Sequence, residues 1–184
     1  SGFQVHIGAG KVYTPGDLCD VLVAMNAAAL KTQYRYAKSD ATIIIDTDSF
    51  GAADLKKAEF ETEDPLAEMG IDADRVIACP ITQMVKDCLA GSGMEPKAIL
   101  KCRNMFALGL VCWLFDRDLN VAFNYLRDKF AKKPAVAEAN IKAIDAGYNY
   151  AANTHQFANT YTIAPAKLEK GTYRSISGNV ANAW

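Results

Sequence analysis

The residues of this chain that could contact a ligand are mostly carboxylates and amides at the ends of apolar runs. Asp46 and Asp48 follow Thr42-Ile43-Ile44-Ile45, the strongest β-branched run in the sequence. Asn26 follows a second apolar run, Cys19 to Met25. Open α/β sheets bind ligands beyond the carboxyl ends of their strands. If the two runs are adjacent strands, Asn26, Asp46 and Asp48 would form one polar rim. The same residue types also cap helices and close loops. Asn104 interrupts an otherwise apolar helical run. A buried Asn must find a partner, in neighbouring backbone, another subunit or a ligand.

Other chemistry has thinner support. The chain has two histidines. His6 sits in an alternating segment, on its polar face, and His155 in the polar stretch 153–159. Neither has a nucleophile nearby in sequence, and there is no G-x-S-x-G elbow, so hydrolytic chemistry is poorly supported. Gly8-Ala9-Gly10 continues as Lys-Val-Tyr and never reaches the third glycine of a dinucleotide fingerprint. It reads as a hairpin turn, and no P-loop is present. The five cysteines, Cys19, Cys79, Cys88, Cys102 and Cys112, contain no C-x-x-C pair. Zinc and iron–sulfur sites therefore lack their usual ligand spacing. An odd number of scattered cysteines suggests free thiols in a reducing, cytoplasmic setting.

The elements that would position these residues follow from the pattern. Phe3 to Gly8 alternates apolar and polar residues and predicts a half-buried strand. Lys11 to Tyr13 would return as a second short strand before Thr14-Pro15-Gly16. Cys19 to Met25 predicts a strand buried on both faces, and Asn26 caps a helix over 27–37. Ala41 to Asp46 is the second strand, followed by a polar loop from Thr47 to Phe50. Ala52 to Phe60 predicts a helix, and Glu61 to Asp74 a mobile acidic connection. Arg75 to Cys79 is a third strand stopped by Pro80, and Thr82 to Leu89 a helix ended by Gly91-Ser92-Gly93. Three strand–helix units in series predict a mostly parallel sheet with right-handed crossovers.

After Gly93 the pattern turns helical. Pro96 opens the first helical turn, and Ile99 to Phe115 reads as one largely buried helix containing Trp113. Leu119 to Phe130 and Pro134 to Tyr150 are further helices. Tyr161 to Ile163 is a last strand, and Lys167 to Trp184 an extended arm whose Trp184 would need a docking place. The fold class expected is α/β, a three-layer, mostly parallel sheet flanked by helices, with a helical C-terminal half and an extended arm.

Composition narrows the function classes. Hydrophobic residues make up 51% of the 184, enough for a buried core, and charged residues 22%. Net charge is −1 and the sequence pI about 6.1. Nucleic-acid binding normally leaves a basic excess or stripe; none is present. No apolar run reaches membrane-spanning length.

Three stretches carry a resemblance. Lys101 to Arg117 reads K-C-R-N-M-F-A-L-G-L-V-C-W-L-F-D-R, Cys19 to Leu30 reads C-D-V-L-V-A-M-N-A-A-A-L, and Gly171 to Ala181 reads G-T-Y-R-S-I-S-G-N-V-A. Ser1 to Gly8, Ala41 to Phe50, Phe130 to Gly147 and Pro165 to Arg174 extend it. In this order they resemble the gamma region of the 2-oxoacid:ferredoxin oxidoreductases, in the form where gamma is fused ahead of a thiamine-binding alpha region. The subgroup resembled is that of the 2-oxoglutarate:ferredoxin oxidoreductases of anaerobes.

The resemblance implies oxidative decarboxylation of a 2-oxoacid to an acyl-CoA, with electrons passed to ferredoxin. It implies thiamine diphosphate, coenzyme A and iron–sulfur clusters in the whole complex, none bound by this chain alone. It implies a swivelling gamma domain that assists assembly and coenzyme A handling. The partners implied are the alpha and beta regions and, through the complex, ferredoxin. It supplies no catalytic residue, and it makes Asn26, Asp46, Asp48 and Asn104 candidates for ligand or partner contact. Residues 1–166 would be the gamma domain without its family's first strand and glycine-rich loop, and 167–184 an arm towards alpha. Uncovered sheet would then make the 184-residue chain aggregate, form a homodimer, or belong to a longer polypeptide. The alternative is a non-catalytic interaction or assembly module that reuses the domain.

Overall fold

The computed structural model describes residues 2–154, 156, 160–169, 171, 172, 174, 176 and 178–182. Three parallel strands form its sheet: β1 (Cys19–Ala24), β2 (Ala37–Asp46) and β3 (Val76–Cys79), in the order β1-β2-β3. Helices α1 (Ala27–Gln33), α2 (Ala52–Lys57) and α3 (Pro65–Glu68) lie between the strands in sequence. The helical second half comprises α4 (Ile81–Cys88), α5 (Pro96–Lys101), α6 (Arg103–Leu114), α7 (Leu119–Lys129) and α8 (Pro134–Thr154). A short α9 (Gly178–Asn182) follows.

The three layers follow from strand alternation. Both crossovers step in the same direction across the sheet, so right-handed connections put their helices on one face. Leu22, Ala24, Ile43, Ile45 and Val76 meet Leu30, Leu66 and Ile71 on that side. Val21, Val23, Ile44, Ile77 and Cys79 point the other way, into the core built with Val85, Phe106, Leu110 and Ala143. This is why Ile43-Ile44-Ile45 is unbroken: a strand covered on both faces has no polar side. Register is regular from Val21↔Thr42 to Ala24↔Ile45 and from Ile43↔Val76 to Asp46↔Cys79. At its start β2 bulges between Ala37 and Thr42. There Lys38 Nζ meets Asp20 Oδ1 at 2.5 Å.

Several expectations change in three dimensions. Residues 3–8 and 11–13 form no strand ladder. Gln4 Nε2 donates to Pro15 O at 2.8 Å, and His6 Nδ1 lies 2.9 Å from Thr14 O. Side chains thus hold the two limbs of this hairpin-like arm together in place of backbone pairing. The helix expected over 27–37 ends at Gln33, and β2 begins early, at Ala37. The single helix expected over 99–115 is two helices. A tight turn at Cys102 (Cys102 N to Ile99 O, 2.9 Å) separates α5 from α6. Residues 161–163 form no strand: Tyr161 N donates to Leu114 O, and its ring stacks on Phe115 at 4.9 Å. The arm expected from Lys167 onwards contains α9. His155 and Trp184 lie outside the described residues.

The acidic connection 61–74 is built, not loose. Asp64 caps α3 by accepting from Leu66 N and Ala67 N. Glu68 carboxylate accepts from Glu61 N, Thr62 N and Thr62 Oγ1 at 2.9 to 3.2 Å. Lys31 Nζ lies 3.8 Å from Glu68, donates to Glu59 O and sits over the Phe60 ring. The hydrogen bonds from Thr62, with the Lys31 charge nearby, hold the Glu68 carboxyl below its usual value of 4.5. A depressed carboxylate stabilises the fold above its unfolded pKa, and that contribution is lost as pH falls through the folded value. Amides 61–68 are therefore expected to lose hydrogen-exchange protection as pH drops below about 4.5. Glu68→Gln should show weaker protection already at neutral pH.

Candidate functional site at the carboxyl edge of the sheet

β2 delivers Asp46 to the carboxyl edge, directly beside Cys79 at the end of β3. Asp46 is the one buried charged residue among the described residues, at 0% exposure. Its environment satisfies it fully. Oδ1 accepts from Asp48 N at 3.3 Å and Thr82 N at 3.2 Å. Oδ2 accepts from Ser49 Oγ at 3.3 Å and Thr82 Oγ1 at 2.7 Å. Arg103, at the start of α6, brings Nη1 to 3.7 Å from Oδ2 and donates to Thr82 Oγ1 at 3.1 Å. Thr82 hydroxyl therefore donates to the carboxylate and accepts from the guanidinium.

Asp48, on the exposed 3-10 turn after β2, accepts from Gln83 N at 2.7 Å. Together Asp46 and Asp48 satisfy the first free N–H groups of α4. The residue before α4 is Pro80, which offers no side-chain cap. A helix start leaves its first N–H groups without intrahelical partners, and negative charge there is favourable. Here the cap comes from a neighbouring strand, thirty-six residues back in sequence. The structure thus joins Asp46 and Asp48 in one cluster.

Among the described residues, neither Asn26 nor Asn104 hydrogen-bonds to Asp46 or Asp48. Asn26 Oδ1 caps α1 by accepting from Ala29 N at 2.8 Å, as its position before the helix implies. Asn104 is exposed on α6. The apolar run around it suggested burial, but α6 packs mainly through Phe106, Leu110 and Leu114, leaving Asn104 and Leu108 outward. Arg103 and Thr82 carry no motif that marks them in the sequence. The one available signal was Arg103 sitting at the polar end of an apolar helix. Its tie to Asp46 is a contact between distant segments.

Beneath the cluster, Cys79 is fully buried. Burial pushes its thiol up to about 12, partly offset by a hydrogen bond with Tyr150. The thiolate is the nucleophilic form, so Cys79 is inert in the fold. In native protein Cys79 should resist alkylation by iodoacetamide at pH 8 and react only after denaturation, as read by peptide mapping. Among the described residues, no group of three His, Cys, Asp or Glu side chains is placed to hold a metal ion. No described helix is long and apolar enough to cross a membrane.

The family described as pyruvate ferredoxin/flavodoxin oxidoreductase matches residues 1–150. The chain belongs to this family. Among curated relatives, it is 40% identical over 185 residues to the 2-oxoglutarate oxidoreductase subunit KorA of Mycobacterium tuberculosis. That match covers 100% of this chain but 28% of the relative, so the chain spans under a third of the relative's length. Among solved structures, the fold is similar to a 2-oxoglutarate:ferredoxin oxidoreductase from Magnetococcus marinus, determined with 2-oxoglutarate, coenzyme A and succinyl-CoA bound. The TM-score is 0.59 at 24% identity, over 86% of this chain and 24% of that one. The likeness supports the α/β fold of this oxidoreductase-family domain. It agrees with the parallel sheet, the flanking helices and the helical second half expected from the sequence.

Proposed function

We propose that this chain is the gamma part of a 2-oxoglutarate:ferredoxin oxidoreductase. The whole enzyme would oxidatively decarboxylate the 2-oxoacid to its acyl-CoA and pass electrons to ferredoxin. One observation carries the reading: 40% identity to a 2-oxoglutarate oxidoreductase subunit across the full chain. In this reading the domain assists assembly and coenzyme A handling in the cytoplasm, beside thiamine-binding alpha and beta regions. Thiamine diphosphate supplies the decarboxylation chemistry from those regions. The five cysteines are spread over β1, β3, α4, the α5–α6 junction and α6, and do not fit a cluster-ligand set.

The residues of this domain then act by position. Asp46 builds the α4 start, since every oxygen it has is already engaged. Asn26, Asp48 and Asn104 are exposed and remain the candidates for ligand or partner contact.

The test is viologen reduction by the anaerobically purified complex containing this chain, with 2-oxoglutarate, with and without coenzyme A. Turnover needing both supports the proposal. Turnover with pyruvate alone keeps the family and changes the substrate. No turnover with any 2-oxoacid, from a complex holding thiamine diphosphate and intact clusters, favours a non-catalytic assembly module.

A further inference from the structure

Two glycines bring α6 and α8 together, and α7 does not follow them. Gly109 and Gly147 each lie against the other helix's backbone. α7 packs chiefly on α8. Leu119, Ala122, Phe123 and Leu126 of α7 join Ile141 and Ile144 of α8, and Met105 is the α6 side chain that reaches this cluster. A cleft of about 210 Å³ stays open between the three helices. Its floor is the buried pair Leu126 and Ile144, and Met105, Leu108, Ala122 and Phe130 form its walls.

The cleft is apolar with a single cation. Among the described residues, no carboxylate lines it, and its polar members are Tyr125, Asn140 and Lys129. Asn140 already uses one amide hydrogen on Val136 O, at 2.7 Å. Lys129 Nζ lies 5.4 Å from the centre of the Tyr125 ring and 5.8 Å from that of Phe130. No described carboxylate lies within ion-pair distance of it. Ring faces attract an ammonium but accept none of its hydrogens strongly, so Lys129 keeps its donors for an anion. Arg127, on the same helix, is by contrast paired with Glu138 at 3.4 Å. Water is poorly held in such a space, because a buried water needs about two to four polar partners. Replacing loosely held water by an apolar group is favourable.

We infer that the cleft between α6, α7 and α8 binds a small amphiphilic carboxylate. Its alkyl or aryl body lies between Met105, Leu108, Ala122 and Phe130, and its carboxylate meets Lys129 Nζ. The size follows from volume: an apolar cavity of about 150 Å³ holds a benzene, so this cleft suits about eight carbon atoms. The sign of the head group follows from Lys129. The single charge follows from the rest of the lining, where a second carboxylate would lose water and find no cation. A short dianion such as 2-oxoglutarate would also leave the walls unfilled. The cleft shares no residue with the Asp46–Thr82–Arg103 cluster, and the inference does not depend on the catalytic reading.

The probe is octanoate, added to the complex purified with this chain. At ten times its Kd, amides 122–130 are expected to exchange about tenfold slower, by mass action on the closed helix. Affinity is read from the carbon-13 signal of labelled ligand. Lys129→Met keeps an apolar stem and is expected to weaken octanoate about fivefold, the upper range for an accessible ion pair. The same variant should leave 1-octanol binding unchanged. Ala122→Leu fills the cleft and is expected to weaken octanoate and octanol alike, by about tenfold. Exchange of Ile43 to Ile45 should match wild type in both variants. Octanoate that leaves amides 122–130 unchanged overturns the proposal, as it must if the rest of the enzyme already covers the cleft. Octanoate affinity that survives both variants overturns it too. So does an equal loss of octanoate and octanol in Lys129→Met, since the charge would then carry no recognition. Failure of the catalytic reading is separable: a complex inactive on every 2-oxoacid that still binds octanoate here refutes the activity alone.

Discussion

Gly109→Ala and Gly147→Ala are each expected to destabilise the domain by about 2–3 kcal/mol, the range of overpacked cores. A Cβ on Gly109 would lie 2.0 Å from Ile144 O and 2.8 Å from Tyr148 N. A Cβ on Gly147 would lie 2.1 Å from Phe106 O. The two glycines form a reciprocal pair: each lies against the other helix's backbone, so α6 and α8 approach at both points. No rotamer change relieves a clash with a carbonyl, so the helices must separate. The core between them, including Phe106, Leu110 and Ala143, would open with them. Hydrogen exchange of the β2 amides Ile43 to Ile45 in the full enzyme checks this. They should exchange about 30- to 150-fold faster, at 1.36 kcal/mol per decade. Gly10→Ala, where a Cβ meets nothing within 4 Å, serves as the control. Unchanged exchange in both helix variants would refute the close approach. The sign is informative. By helix propensity alone, Gly→Ala in a helix interior stabilises by about 1 kcal/mol.

Asp46→Ala is expected to cost about 3 kcal/mol, because several inward-facing donors lose their acceptor at once. The variant orphans Thr82 N at the α4 start, the Thr82 and Ser49 hydroxyls, and one side of Arg103. Asp46→Asn keeps an acceptor for Thr82 N but turns an amide donor towards its hydroxyl, and should cost less, about 1–2 kcal/mol. Arg103→Met should cost under about 1 kcal/mol, because its side chain is 35% exposed and the carboxylate keeps its other donors. The double variant should recover part of the Asp46→Ala loss, which a double-mutant cycle reads directly. The measurement is again exchange of the β2 amides, with the α4 amides Thr82 and Gln83 as the local reporter. Strict additivity would show that Arg103 and Asp46 are not coupled. A loss of 2-oxoacid turnover larger than the loss of folded protein would instead show that Asp46 does more than build α4.

Much of the architecture was legible from residue order alone. The Thr42-Ile43-Ile44-Ile45 run announced the strongest strand, whereas Cys19 to Met25, expected to be buried on both faces, gives β1 at the sheet edge with Val21, Leu22 and Val23 only half-buried. Asn26 announced a helix start, since its side chain reaches an N–H three residues on. Pro96 and Pro134 marked helix openings for the same local reason. All of these depend on chain geometry within a few residues. Phe3 to Gly8 shows the limit. Alternation sets which side chains share a face but supplies no neighbouring strand, so the segment stays an unpaired arm in the domain.

The candidate site was only half legible. Asp46 and Asp48 were placed at a strand end, where a ligand rim and a capping pair look the same in sequence. Tertiary structure brought α4 onto them, and the free N–H groups of that helix took both carboxylates. Asn104 went from expected interior to surface, because an apolar run cannot say which side of a helix meets the core. Cys102 became a helix junction for a similar reason: the break is a turn in an otherwise continuous apolar pattern. What the sequence by itself determined is the alternation, the caps and the layer order, all set by local covalent geometry and hydrophobic period. Only the tertiary structure decided the Asp46–Thr82–Arg103 cluster and the Gly109–Gly147 approach. These join residues 21 to 57 positions apart, and their energy arises from desolvation and close packing that exist only after the chain has folded.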